Sequence, residues 1–170
     1  MLRLAVGKVV VNIVCVYAPQ IGRSAEEKEE FLGTLGDVLQ KISVNEELIV
    51  CGDMNCHVGS TSEGFKLVHG GRGYGVRNAE GEAFLGFVMA MGLAVVNTWF
   101  DKRDSQKITF ESGGNRTVVE YVLIRRVRLS MVKDIKAIPG EECIIQHRLL
   151  VCVLELDACV RRRRNTCACK

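Results

Sequence analysis

The stretch Glu46-Glu47-Leu48-Ile49-Val50-Cys51-Gly52-Asp53-Met54-Asn55 joins an apolar run to two short polar side chains, Asp53 and Asn55. Alternate residues of a strand share a face, so both are expected to meet one cleft while Met54 packs elsewhere. A carboxylate beside a carboxamide suits phosphate chemistry. The acid accepts a proton or holds a divalent cation, and the amide donates to a phosphoryl oxygen. Gly-Asp also marks ordinary strand-to-turn exits, so this pair alone does not separate a site from a turn. A second candidate group, His147, stands in Gln146-His147-Arg148 directly before the apolar run Leu149 to Leu156.

The elements that must position these groups are legible in outline. Met1 to Val11 reads as a strand, and Lys8 to Tyr17 as a β-branched strand stopped by Pro19 and Gly22, with Tyr17 at its carboxyl end. Ser24 is placed to cap a helix whose first turn is acidic and whose Phe31, Leu32, Leu35, Val38, Leu39 and Ile42 recur at helical spacing. Leu48 to Cys51 then gives strand, helix, strand in the order of a βαβ-like unit. The glycine-rich segment from Cys56 to Arg77 is expected to be a long surface loop. It lacks the Gly-Lys-Ser/Thr ending of a nucleotide-binding loop, and His57 and His69 are read as loop histidines without chemistry. Asn78 to Met91 is a second helix ended by Gly92, and Leu93 to Asn97 a further strand. After the polar turn Asp101 to Gln106, Lys107 to Phe110 and Val118 to Ile124 are expected to pair across Ser112-Gly113-Gly114-Asn115. Leu129 to Ala137 adds a strand, Ile138-Pro139-Gly140 breaks the pattern, and Leu149 to Leu156 closes it.

Composition bounds the possibilities. A chain of 170 residues with 48% hydrophobic content can bury one core, and no window reaches the length of a membrane span. The net charge of +3 misleads, because five of the 23 Lys and Arg residues are Arg161 to Arg164 and Lys170. Residues 1–160 hold 18 basic residues against all 20 acids, so the body is no basic nucleic-acid glove and the polybasic tail is a separate feature. Of eight cysteines, Cys15, Cys51 and Cys152 lie in apolar runs and are expected in the core. The remainder lack paired CxxC spacing, and a zinc reading of Cys51, Cys56 and His57 has no second pair of ligands. The absence of a secretory segment points to a reducing, intracellular setting, nuclear or cytoplasmic.

Four segments in order, Val16-Tyr17-Ala18-Pro19, Gly52-Asp53-Met54-Asn55, Val118 to Leu123 and Gln146-His147-Arg148-Leu149-Leu150, resemble the endonuclease/exonuclease/phosphatase superfamily. Within it the chain is most similar to endonuclease domains of LINE-type retrotransposons, and closer still to the craniofacial development protein 2 group. The residues around Tyr-Ala-Pro-Gln, His-Gly-Gly-x-Gly-x-Gly-x-Arg-Asn, Lys-Arg-Asp-Ser and Gln-His-Arg-Leu-Leu carry that closer likeness. The resemblance covers roughly Lys8 to Leu156. It implies a two-sheet α/β sandwich, here amino-terminally truncated, with a partial domain over 1–157 and a basic, disordered tail over 158–170.

The resemblance also implies metal-assisted hydrolysis of phosphodiesters, with Mg2+ or Mn2+ as cofactor and DNA as partner. Position by position, Tyr17 would lend its hydroxyl to the phosphate or leaving group, Asp53 would position the water and Asn55 would grip a phosphoryl oxygen. His147 would face the phosphate, oriented by Glu120 where the family usually has aspartate. Gln146 stands where many members have a metal-binding aspartate, leaving Asp53 as the obvious anionic metal ligand and Gln146 as a weak one. The family's upstream asparagine and its principal metal-binding glutamate have no counterpart in this chain. Three functions follow as expectations: a LINE-type endonuclease impaired by these departures, an inactive domesticated fragment that binds a partner, and a phosphomonoesterase.

Overall fold

The structure, a computed structural model, describes residues 1–144 and 146–156. The basic tail over 158–170 lies outside the described residues. Two sheets carry the fold. The first has the order β1 (Leu2–Val6), β2 (Val9–Tyr17), β3 (Glu47–Asp53), β7 (Glu120–Arg125), β4 (Leu93–Val95). The second has the order β6 (Asn115–Thr117), β5 (Phe110–Ser112), β9 (His147–Leu154), β8 (Val132–Ile144). β2 and β3 run parallel, joined through helix α1 (Ala25–Gln40), which is the expected crossover unit. The Ser24 hydroxyl accepts from the Glu27 N–H at 3.2 Å, and Leu35 and Leu39 are buried against the sheet. Helix α2 (Ala79–Ala90) is capped by Asn78, whose carboxamide oxygen accepts from the N–H groups of Gly81 and His57.

One face of the first sheet meets these helices around Val14, Val50, Leu85, Val88 and Leu123. Its other face meets the second sheet through a smaller cluster of Val96, Val122, Ile124, Val132 and Ile135. The architecture is therefore a two-sheet α/β sandwich, as the sequence predicts.

Several local expectations differ from the structure. The amino-terminal run is two antiparallel strands, because Gly7 turns the chain at φ 62°. Leu93 to Asn97 stops as a strand at Val95 and continues as a 3-10 turn, Val96–Thr98. The hairpin across Gly113-Gly114 pairs β5 with β6, not with the Val118 to Ile124 run. Val118 and Val119 are a buried passage between the two sheets, and β7 joins the first sheet beside β3. Pro139-Gly140 lies within β8, where the register with β9 shifts between Ala137 and Glu142. Of the three cysteines expected in the core, Cys15 is exposed and Cys51 and Cys152 are half-buried, whereas Cys56 is buried. Among the described residues no member of β2 belongs to the inter-sheet cluster, and Cys15 is left exposed.

Candidate functional site

Tyr17, Asp53 and Glu120 form one row across the first sheet, since Tyr17 is the register partner of Asp53 and Asp53 that of Glu120. His147 opens β9 in the second sheet and reaches the row from across the sandwich. Its Nδ1 is hydrogen-bonded to Glu120 Oε1, and the edge of its ring meets Phe110 at a centroid distance of 4.8 Å. One ligand atom from each of Asp53, Glu120 and His147 lies within 4.8 Å of the others, and all three residues are half-buried.

The backbone holds this cluster tightly. Gly52 adopts φ 142°, and a Cβ there would stand 1.9 Å from the Val16 carbonyl oxygen, so only glycine lets β3 pass β2 just before Asp53. Asp53 Oδ1 accepts the Asn55 N–H at 2.8 Å, and its carbonyl accepts the Ala18 N–H at 2.8 Å. Glu120 is fixed by half-buried Asn97 and buried Thr109. Asn97 Nδ2 donates to its carbonyl at 3.1 Å, and the Thr109 hydroxyl accepts the N–H groups of Val119 and Glu120. The Thr109 carbonyl also accepts the Arg148 N–H at 2.8 Å, tying the start of β9 to the start of β7. Sequence reading misses Asn97 and Thr109, for both are ordinary residues whose partners are remote in the chain.

Burial pushes the Asp53 carboxyl above its ordinary range, opposed by the Asn55 N–H and by His147. Glu120 Oε2 is buried and has no hydrogen-bond partner among the described residues. Two carboxylates, one with a partnerless oxygen, grouped with an imidazole are a donor set that fits a hard divalent cation, which takes oxygen ligands. Asp53 and Glu120 are the groups that would hold it.

The remaining predicted residues lie differently. Asn55 is not in alignment with Asp53, because β3 ends at Asp53 and Asn55 adopts φ 45°. Its Nδ2 donates to the Ala18 carbonyl at 2.9 Å, and it borders a cleft of about 470 Å³ between the two helices with Phe31, Leu32 and Phe84. Tyr17 is exposed and its hydroxyl accepts from Gln20 Nε2 at 3.1 Å, leaving its own proton free to donate. Gln146, expected as a weak metal ligand, adopts φ 84° and donates its Nε2 to the Ser112 hydroxyl at 2.8 Å.

The fold built around this row has known counterparts. The endonuclease domain of TRAS1, a telomere-specific non-LTR retrotransposon, superposes with a TM-score of 0.60 at 15% identity, over 91% of this chain and 62% of that one. A 3'-5' exonuclease from Neisseria meningitidis gives 0.62 at 15% identity, over 91% and 64%. An AP endonuclease from Archaeoglobus fulgidus gives 0.62 at 15% identity, over 86% and 62%. The fold is that of the endonuclease/exonuclease/phosphatase superfamily. In sequence the chain is similar to craniofacial development protein 2 of Bos taurus, 28% identical over 147 residues, and to that of Tragulus javanicus, 27% identical over 147 residues. These matches take in 85% of this chain but only 24% and 25% of the relatives, so the chain spans about a quarter of their length. It likewise spans under two thirds of the three solved structures. No family model matches it.

Proposed function

We propose that this chain is a nuclease-type domain directed at phosphodiesters of DNA, with Tyr17, Asp53, Asn55, Glu120 and His147 as its site and with Mg2+ or Mn2+ as cofactor. The observation that carries this reading is the convergence of Asp53, Glu120 and His147 at the ends of strands from both sheets. Asp53 and Glu120 would hold a divalent cation, which would supply charge neutralisation at a phosphate.

The chain's own residues do the rest. Asp53, with a carboxyl raised by burial, is suited to orient water and take its proton. Glu120 fixes the His147 ring through Nδ1, so that Nε2 is turned to the phosphate, and it stabilises the ring when protonated. Asn55 spends one amide proton on Ala18 and keeps a second to donate. The Tyr17 hydroxyl donates to a phosphate or leaving oxygen.

Gln146 brings no charge to the site and is already bonded to Ser112, so turnover by the isolated chain is expected to be slow. The second reading is a non-catalytic module with the same fold, favoured by Gln146, which is uncharged and turned to Ser112. Supercoiled plasmid incubated with purified chain and Mg2+ separates the two. Nicking lost in both Asp53→Ala and His147→Ala supports the nuclease. Folded protein without Mg2+-dependent nicking supports the binding module. A chromogenic phosphomonoester run in parallel distinguishes the phosphomonoesterase alternative.

A further inference from the structure

The ladder that ends at the site also carries a pair of thiols. Cys15 of β2 and Cys51 of β3 are register partners, two residues before Tyr17 and Asp53 on the same two strands. Both are free cysteines, and their Sγ atoms are in contact at 3.7 Å. Cys51 is half-buried and packs against the inter-sheet cluster, as does Cys152 of the second sheet, whereas Cys15 is exposed. A free cysteine ordinarily serves as a small hydrophobe within a core, and Cys15 fills none. The closeness of the two sulfurs is set by the ladder itself, which runs without interruption from Val11↔Glu47 to Tyr17↔Asp53. It is a property of two adjoining strands and not of what covers them.

This geometry suits a covalent link. Neighbouring strands lie about 4.8 Å apart, inside the range of about 4.4–6.8 Å that separates the Cα atoms of disulfide-bonded cysteines. The sulfur contact places both side chains on one face of the sheet. Bringing the sulfurs from 3.7 Å to a bond length of about 2 Å is therefore a matter of rotating two side chains, without the backbone shift that a wider pair would need. The bond closes a loop that holds the whole of α1, and it ties together the two strands whose ends present Tyr17 and Asp53.

We infer that Cys15 and Cys51 are a modification site, oxidised reversibly to a disulfide by a low-molecular-weight disulfide of the glutathione type. Cys15, as thiolate, attacks one sulfur of the oxidant. A bond forms between Cys15 Sγ and that sulfur, the oxidant's S–S bond breaks, and the first thiol leaves with the proton that Cys15 gave up. Cys51 Sγ then attacks Cys15 Sγ, the mixed bond breaks, and the second thiol leaves with the proton of Cys51. The two protein thiols lose two electrons, and one oxidant disulfide becomes two thiols. The order follows from position. Burial, with Cys15 alongside, pushes the Cys51 thiol up, so Cys51 stays protonated and sheltered while Cys15 meets the oxidant. The effect of the bond on the row of Tyr17 and Asp53 rests on the proposed function, but the bond itself does not.

The test is treatment of the reduced, full chain with oxidised glutathione, followed by alkylation of the remaining thiols and peptide mapping by mass spectrometry. Cys15 and Cys51 should be recovered joined to each other, and dithiothreitol should release both. In strong denaturant the same oxidant should scatter linkages over the eight cysteines, because the pairing is imposed by the folded ladder. Cys51→Ala should halt the reaction at a lasting glutathione adduct on Cys15, and Cys15→Ser should leave Cys51 unmodified, each with circular dichroism unchanged. In the unaltered chain, Cys15 recovered free, as a lasting adduct or joined to any other cysteine would overturn the inference. Cys51 joined to Cys152, or an equal yield of the Cys15 to Cys51 link in denaturant, would overturn it as well. The map of the unaltered chain decides the matter even where Cys51→Ala does not fold. No outcome depends on nuclease activity.

Discussion

Two polar assemblies stand at opposite ends of the bonding scale in this molecule. The glycine-rich segment after Cys56 is closed upon itself. Arg77 donates to the carbonyls of Val58, Thr61 and Glu63, and its guanidinium lies 4.9 Å from the Phe65 ring centre. His69 is buried, with Nδ1 accepting from the Gly71 N–H, so that Nε2 carries the proton given to the Gly59 carbonyl. The row of Tyr17, Asp53, Glu120 and His147 instead keeps capacity in reserve, with a free phenol proton, a raised carboxyl and an orphan oxygen on Glu120. Polar groups that serve the fold exhaust their bonds within it. Groups available to a ligand do not.

That contrast can be broken by mutation. The largest effects are expected in the row. Asp53→Ala and His147→Ala should each lower Mg2+-dependent nicking by about 10²–10⁴-fold, with melting temperature nearly unchanged. A comparable loss of stability would place these residues with the loop. Gly73→Ala should do the reverse, because a Cβ there would stand 2.0 Å from the Gly59 carbonyl oxygen. Denaturant unfolding should show a loss of about 3 kcal/mol, the scale of severe backbone strain. Thr109→Val leaves the Val119 and Glu120 N–H groups without their acceptor, so about 1–3 kcal/mol should be lost. The His147 resonances should shift with it.

The smallest effect concerns pH. Burial lowers His69 to about 4, and Arg77 adds to the lowering. An unfolded histidine binds its proton near pH 6.5, so between about pH 6.5 and 4 the unfolded chain holds more protons. The His69 contribution is therefore full above pH 6.5 and fades as pH falls toward 4. Melting scans across this window should show that slope, and His69→Gln should flatten it. An unchanged slope would remove His69 from the account.

The sequence displays the row better than the loop, and the reason is physical. Tyr17, Asp53 and His147 sit at the ends of apolar strand runs, and local pattern reveals where such runs stop. The expected alignment of Asn55 with Asp53 fails because alternation holds only while the strand continues, and β3 ends two residues earlier. His69 and Arg77 look like solvated loop residues because their partners are carbonyls, which leave no trace in residue type. Val118-Val119 imitates a strand since a buried crossing between sheets needs the same apolar residues. Cys15 has a core residue's neighbours in sequence, but among the described residues the inter-sheet cluster holds no member of β2.

The central claim is that Asp53, Glu120 and His147 make one cation-binding and phosphate-facing cluster. Mn2+ titrated into the labelled chain, with proton–nitrogen spectra of the histidine rings, tests it most directly. The account predicts that His147 broadens at low Mn2+ while His69 stays sharp, and that Asp53→Ala removes the broadening. Equal broadening of both rings, or a His147 signal indifferent to Mn2+, would contradict it.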